Sequence, residues 1–506
     1  MTQTWTRRQL LRRSGTAAVG LAGVGLVGCG ARVVAGALSN SDARATTPAG
    51  DVQHYVSRPD LTPPVVTISK HVSAADDPKY IFFEAPKSGG HGGLMILDRQ
   101  GELVWFGPDA DESQFDFQPQ MYKGEPVLTY FEGKVLAAGY GRGVAVVADT
   151  SYRPIYTISA HNGLHVDIHE VFLTPQDTAL VTAYRTAPAD LSALGGPSDG
   201  YVLSGVLQEI DVRTGKLVFE WDSLDHVDVT DSYLKFAGGT QAKPYDYFHI
   251  NSLSVDTDGD LIIGARNTWA VYKIGRRSGE IIWQLNGKKS DFTMGEGTHF
   301  WWQHHSRTHG GSGDITTMSL FDDGANPPEE HQSRALVLEL DTKAMTATLK
   351  KSFTHPGKNL LAVAMGSAQL LPDGRMFVGW GTAPYFSEFA PDGTLLLDGS
   401  VNKVDPSYRT FTANWVGRPV EPPDIAARSR HGGGTTVYAS WNGATEVASW
   451  KVLAGKSASS LAHAATATRA GFETVIPVAS AGPHFAVEAR NRHGHVLSRS
   501  AAVRRV

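Results

Sequence analysis

Residues 249–266 read HINSLSVDTDGDLIIGAR, and residues 275–283 read GRRSGEIIW. In the first stretch apolar and polar residues alternate as far as Asp256, an Asp- and Gly-rich break follows, and an apolar run returns. Such a pattern predicts strand, tight turn and strand, because Asp and Gly accept the turn's backbone angles while alternating residues suit a pleated surface. The second stretch predicts another hairpin of the same kind. Together they describe one four-stranded antiparallel sheet.

The pattern recurs along the chain. Counterparts of the second hairpin lie at 98–105 (DRQGELVW), 149–156 (DTSYRPIY), 211–219 (DVRTGKLVF), 341–349 (DTKAMTATL) and 390–397 (APDGTLLL). Residues 366–380, GSAQLLPDGRMFVGW, repeat the first. A spacing of roughly 50–65 residues fits one four-stranded blade with its loops. Helical periodicity is almost absent between residues 80 and 400. The fold expected for 55–420 is therefore all-β, a six-bladed β-propeller. Beyond it, short strands at 436–439, 448–453 and 485–489 predict a small immunoglobulin-like or fibronectin type III-like sandwich over 421–506. The Ala- and Ser-rich residues 454–470 are expected to form a loop within it.

The chain has 506 residues, 46 Lys and Arg against 51 Asp and Glu, and a net charge of −5. No basic stripe marks a nucleic-acid partner. Residues 1–29 read as a targeting segment: TRRQLL at 6–11 resembles a twin-arginine export motif, an apolar stretch from Ala17 to Gly28 is too short to span a bilayer, and LVGC at 26–29 resembles a lipobox. These features predict lipidation at Cys29, a flexible tether over 30–54, and an exported protein anchored to the outer face of the cell membrane. Cys29 is the only cysteine. An internal disulfide, a Cys-rich zinc site and a Cys nucleophile are thereby excluded.

In a propeller the first strand of each blade lines the central channel, and the strand starts meet at one mouth. His169, His249 and His304 open three successive first strands. The strand from His249 runs down, turns at Asp258-Gly259 and returns near Arg266, so this guanidinium belongs at the same level. A single such His is more often a strand-end cap. Three in register, with an Arg beside them, argue for a functional funnel.

Other signals are weaker. His304, His305 and His309 lack an acidic companion at metal spacing, so no metal is expected. Asp256, Asp258 and Asp260 read as turn chemistry rather than a calcium loop, which needs a downstream Glu. GYGRG at 139–143 is not followed by a helix and is no dinucleotide fingerprint. Trp301 and Trp302 precede His304, and Tyr245, Tyr247 and Phe248 precede His249; such residues are either core or an aromatic pocket.

At this point the sequence resembles the bacterial-type arylsulfotransferase family. The likeness spans roughly residues 55–420. It rests on SRPDLTPP at 57–64, Phe248-His249-Ile250-Asn251-Ser252 with its later Arg266, Gln303-His304, and GSAQLLPDG at 366–374 with VGWG at 378–381. The resemblance implies a six-bladed propeller that moves a sulfuryl group from an aryl sulfate to a phenol, without adenosine phosphosulfate and without a cofactor. Carried over, it makes His249 the nucleophile that becomes sulfated. His169, Arg266 and His304 then hold the sulfuryl oxygens or handle the phenolic proton. Asn251, Tyr247, Trp302 and His305 are the accompanying substrate-binding candidates, and His305 beside His304 leaves the third His ambiguous by one. The chain departs from the family in its C-terminal sandwich, its anchor and the little room before the first blade. A homodimer is compatible with this reading. Two alternatives stand beside it: a non-catalytic propeller lipoprotein that binds a ligand or partner at the cell surface, and a quinone-cofactor dehydrogenase. The latter needs more Trp-bearing blades and a calcium site, and neither is visible.

Overall fold

In the computed structural model, residues 52–73, 77–85, 92–108, 112–136, 139–401, 406–480 and 482–506 are described. The export motif, Cys29 and nearly all of the 30–54 tether lie outside them. The last residues of that tether already belong to the fold, since Val52 bridges Pro64.

The structure is all-β. Ile250–Val255 pairs antiparallel with Leu261–Ala265. The turn between them closes through Gly259 N–H to the Asp256 carbonyl at 3.0 Å. Gly259 sits at φ +92°, where a Cβ would be strained. Ala270–Ile274 and Ile281–Leu285 complete the four-stranded sheet in sequence order. Lys273 reaches Asp256 at 2.6 Å and Asp258 at 2.5 Å, so an ammonium sits against these turn carboxylates.

The other hairpins anticipated from the repeat are also present. They join Gly93–Asp98 to Leu103–Pro108, Gly141–Ala148 to Pro154–Ile158 and Gly200–Asp211 to Leu217–Asp222. Arg334–Asp341 joins Thr346–Phe353, and Tyr385–Phe389 joins Leu395–Val401. Late in the chain, Thr410–Ala413 pairs with Tyr80–Phe83 and completes the sheet begun by Tyr80–Ala85, whereas the first strand, Val66–His71, joins the sheet of Leu395–Val401. Six strands touch in cyclic order: Thr410–Ala413, Ser113–Tyr122, Val166–Leu173, Ile250–Val255, His304–Ser312 and Ser367–Leu370, with the last against the first. All but Val166–Leu173, which lies between Thr178–Ala189 and Gly141–Ala148, are sheet edges. Between neighbouring sheets lie apolar layers; one contains Leu207, Trp221, Phe248, Ile263 and Tyr272. Each such side chain contributes about 1.5–3 kcal/mol by leaving water.

Where these six strands meet, they and the residues beside them carry charge instead. Arg409, fully buried, pairs with Asp116 at 2.8 Å and Glu170 at 3.0 Å. Glu170 also receives Arg307 at 2.8 and 2.9 Å. Arg409 donates its remaining Nη to the Asn251 carbonyl, and Asp116 accepts Val171 N–H, both at 2.8 Å. Buried charges are tolerable only when paired in this way. The plug ties five of the six inner segments together.

The C-terminal residues form two further sheets. Asp424–Ser429, Thr435–Ser440 and Glu473–Val478 make one; Ser460–Thr468, Ser449–Ser457, His484–Arg490 and Val496–Arg499 make most of the other. Val437, Trp450, Val452, Ile476, Phe485 and Val487 fill the space they share. The expected loop at 454–470 is instead a hairpin, with Trp450 opposite Ala467. Its small residues were misleading because Ala464, Ala465 and Ala467 pack against this core, where small size suits a flat edge strand. A seam joins these sheets to the rest: Tyr152 donates to the Gly443 carbonyl at 2.7 Å, and the Asn442 side chain exchanges two hydrogen bonds with the Phe106 backbone.

Candidate active site

Three of these six strands bring the histidines together. His169 lies within Val166–Leu173, His304 opens its own strand, and His249 immediately precedes Ile250. The His169 and His249 rings stand 4.9 Å apart, nearly perpendicular. Arg266 donates its backbone N–H to the His249 carbonyl at 2.9 Å, which puts the two at one level. His249, Trp302 and Met365, on the segments that feed three of these strands, all hold φ between +55° and +71°. Non-glycine residues adopt that region at a cost that the surrounding structure must offset, and such strain gathers at functional sites.

Each of the three imidazoles has a carboxylate at Nδ1. Asp167 lies 2.5 Å from His169, Asp246 2.5 Å from His249, and Asp323 2.6 Å from His304. Asp167 also accepts from the backbone N–H groups of His169 and Gly141, so it acts as an acceptor towards the ring. Met365 N–H points at His304 Nε2 from 3.3 Å. An amide can only donate, so Nε2 holds a lone pair and Nδ1 of the neutral ring carries the proton.

Burial sets the electrostatics. It lowers the pKa of His169, against the pull of Asp167. His304 is driven well below its ordinary value by burial first and then by the Arg266 guanidinium. Asp323 is pushed well above the carboxylate range by burial, with Arg266 drawing it back. Tyr184 and Tyr408, whose rings lie about the His169 ring, are raised well above 10 by burial and remain phenols. His249 is the most exposed imidazole of the three, at 12% of its side chain against 4% and 2%.

Arg266 is buried. Its Nη atoms donate to the Asn267 side chain and the Val363 carbonyl. Its guanidinium lies 4.8 Å over the Trp302 ring, a cation–π contact. Nε of Arg266, Oδ1 of Asp246 and Oδ1 of Asp323 are buried without a hydrogen-bond partner among the described residues. Charged atoms left so are costly, and a bound oxyanion is a natural partner for the guanidinium.

The accompanying candidates separate. Trp302 lies behind Arg266. Asn251 is fully buried, donates to the Gln303 carbonyl at 2.7 Å, and braces neighbouring strands from within. Tyr247 belongs to the hydrophobic core rather than the site: it is fully buried and its hydroxyl meets Ser223 Oγ at 2.8 Å. His305 is likewise displaced, because successive strand residues point to opposite sides. Its Nδ1 faces the Ala368 backbone and its ring lies 5.3 Å from Phe411. There it lines a separate cavity of about 170 Å³ with Gln118, Arg307 and His309. Among the described residues no three His, Cys, Asp or Glu are arranged to hold a metal ion.

Sequence reading missed the three aspartates. Asp167 stands two residues before its His and Asp246 three before, a spacing that could have been noticed. Asp323 comes from the next strand, beyond the His304–Phe321 pair, and leaves no local signal.

Comparison with known proteins adds one family. The profile described as Arylsulfotransferase (ASST) matches residues 118–402, more than half of the chain. No curated protein matches. Among solved structures, similarity extends to a protein of unknown function from Bacteroides caccae, at 12% identity and a TM-score of 0.39, covering 66% of this chain and 98% of that one. A GH43 protein, BlXynB, from Bacillus licheniformis follows at 9% identity and 0.30, covering 76% and 89%. Virginiamycin B lyase from Staphylococcus aureus follows at 11% and 0.28, covering 65% and 80%.

Proposed function

The chain belongs to the arylsulfotransferase (ASST) family, and we propose that it transfers a sulfuryl group from an aryl sulfate to a phenol through a sulfohistidine, independently of adenosine phosphosulfate. The observation that carries this reading is the set of three carboxylate-backed imidazoles gathered about one buried guanidinium with an unpaired Nε.

Sulfuryl transfer resembles phosphoryl transfer, in which charge spreads over three equatorial oxygens and the leaving oxygen departs in line. Arg266 offers those oxygens a fixed fork. The family likeness puts the nucleophile at His249, but the electrostatics favour His304. Burial and Arg266 hold His304 unprotonated, and Asp323 leaves its lone pair at Nε2. In the first half-reaction the N–S bond forms as the S–O(aryl) bond breaks, and the electron pair leaves on the phenolate. His249, at the open side, gives that oxygen its proton. Asp323 keeps its hydrogen bond to Nδ1 of the sulfated ring. In the second half-reaction His249 takes the proton of the acceptor phenol, whose oxygen attacks sulfur, and the N–S pair returns to Nε2. Positioned proton transfer of this kind contributes roughly 10²–10⁴-fold.

The architecture proposed is a closed six-bladed propeller over 55–420 with a β-sandwich over 421–506, supported by the cyclic contacts of the six inner strands. Export by the twin-arginine motif and a lipid anchor at Cys29 complete the proposal; loss of palmitate labelling in Cys29→Ser tests the anchor.

The decisive assay is transfer from 4-nitrophenyl sulfate to a phenol, with mass spectrometry of the donor-treated protein. Acceptor-dependent nitrophenolate release and a sulfated peptide containing His304 are expected. Sulfate on the His249 peptide would keep the reaction and exchange the two roles. Absence of release across a panel of donors would leave a surface-binding protein as the better reading.

A further inference from the structure

We propose that Asp323 is a positioning residue for sulfuryl transfer, holding His304 as the Nδ1–H tautomer so that Nε2 is the unprotonated nitrogen. This rests on the transfer reading above. The geometry is specific. Asp323 is fully buried, Oδ2 lies 2.6 Å from Nδ1, and its own backbone carbonyl is pinned by Ser333 at 2.6 Å. Neighbouring Asp322 anchors the same corner by accepting Trp301 N–H at 2.8 Å and pairing with Arg334 at 2.9 Å. The carboxyl therefore cannot follow a ring that turns away, and Met365 N–H meets the opposite nitrogen. The ring is held at both ends, with one nitrogen protonated and one not. Asp246, on the more open His249, also has its backbone carbonyl held, by Asn267 at 2.6 Å, but its side chain is 17% exposed against 0% for Asp323.

The groups facing this pair from every side are Arg266, His169, His249 and Arg409 on the imidazole and Arg266 and Asp322 on the carboxyl. Arg266 and Arg409 have no lone pair to offer Nδ1–H, and Asp322 is committed to Arg334 and Trp301.

Asp323→Asn keeps the shape but offers an amide that can donate to Nδ1 and drive the proton to Nε2. Its kcat is expected to fall by about 10⁴-fold, as when a catalytic imidazole is held in the wrong tautomer, with KM within a few-fold. Asp246→Asn is expected to lose far less. The tautomer itself is read by ¹⁵N NMR of labelled protein, which needs no turnover: His304 in the parent should show a protonated Nδ1 and a bare Nε2, reversed in Asp323→Asn. A parent ring protonated at Nε2 overturns the proposal even if the enzyme is active. The expected NMR pattern in a protein without transferase activity would overturn the functional reading and leave the tautomer assignment standing. If Asp323→Asn fails to fold, the parent spectrum alone decides.

Discussion

Where the six inner strands meet, two clusters of buried polar residues lie in direct succession, and they are built differently. In the plug, Arg409, Asp116, Glu170 and Arg307 share their charges along short, mutual contacts, and of these four only Arg409 keeps a buried atom, Nε, without a partner among the described residues. At the mouth, Arg266, Asp246 and Asp323 each keep a buried atom unpaired, and His249, Trp302 and Met365 hold left-handed backbone. His169 and Glu170 are adjacent in sequence, as are Tyr408 and Arg409, so the change from one regime to the other takes a single residue step. Satisfied charge stabilises a scaffold; unsatisfied charge beside strained backbone is what a site keeps for a ligand.

The largest effect should come from breaking the satisfied side. Arg409→Ala strips the partner from two fully buried carboxylates, and removing one member of such a set costs about 3–5 kcal/mol. Chemical denaturation should show a large drop in midpoint, with the pH profile of any surviving activity unchanged. A loss below about 1 kcal/mol would mean that the plug is not the scaffold proposed here.

Arg266→Lys reverses the pattern. A point charge cannot reproduce the fork, and loss of one oxyanion donor costs on the order of 10²–10³ in kcat. Stability should hardly fall, and a gain of up to about 1 kcal/mol is reasonable because an unpaired buried Nε is removed. Paired measurements of turnover and thermal midpoint check both halves. A variant that loses stability in proportion to activity would place Arg266 with the plug rather than the mouth.

This contrast was only half legible in the sequence. Turn residues and strand alternation carry the hairpins, because Gly259 and Gly279 occupy left-handed turns that few other residues accept. The hairpin from His249 to Arg266 was readable for the same reason: a two-fold side-chain period and a tight turn fix where the return strand ends. Convergence of His169 and His249 followed from equivalent strand positions. The carboxylate behind His304 did not, since Asp323 meets it only through pairing of adjacent strands. The plug was invisible because Asp116, Glu170, Arg307 and Arg409 lie up to 293 residues apart. Long-range pairing of buried charge has no local signature. His305 was placed with His304 because proximity in sequence was read as proximity in space, where alternation sends neighbours to opposite faces; Tyr247 precedes the strand and turns into the core instead.

A subtler separation comes from pH. His304 has its folded pKa depressed, so the unfolded chain takes up the proton first as pH falls through about 6.5. The contribution of this ring to stability is therefore present above that pH and lost below it. His304→Gln cannot titrate. Its stability relative to the parent should improve on acidification by up to about 1.4 kcal/mol per pH unit below 6.5. Denaturation midpoints of the two proteins at pH 7.5, 6.5 and 5.5 give the difference directly. Parallel curves would mean that His304 is no more protected from protons than a surface imidazole.

The smallest effect should lie at the boundary itself. Tyr408 donates its hydroxyl to the His169 carbonyl at 3.0 Å, and the Arg409 guanidinium lies 5.0 Å from its ring. It touches both clusters with one side chain. Tyr408→Phe keeps the ring and removes only the hydrogen bond, a loss of about 0.5–1.5 kcal/mol. If the plug and the mouth are independent, that cost appears in the denaturation midpoint while kcat stays within a few-fold. A drop in kcat beyond about tenfold without a matching loss of stability would show that the orientation of His169 is set through the Tyr408 hydroxyl. The scaffold would then reach into the site through this one bond, and the boundary between the two clusters would lie one residue nearer the histidines.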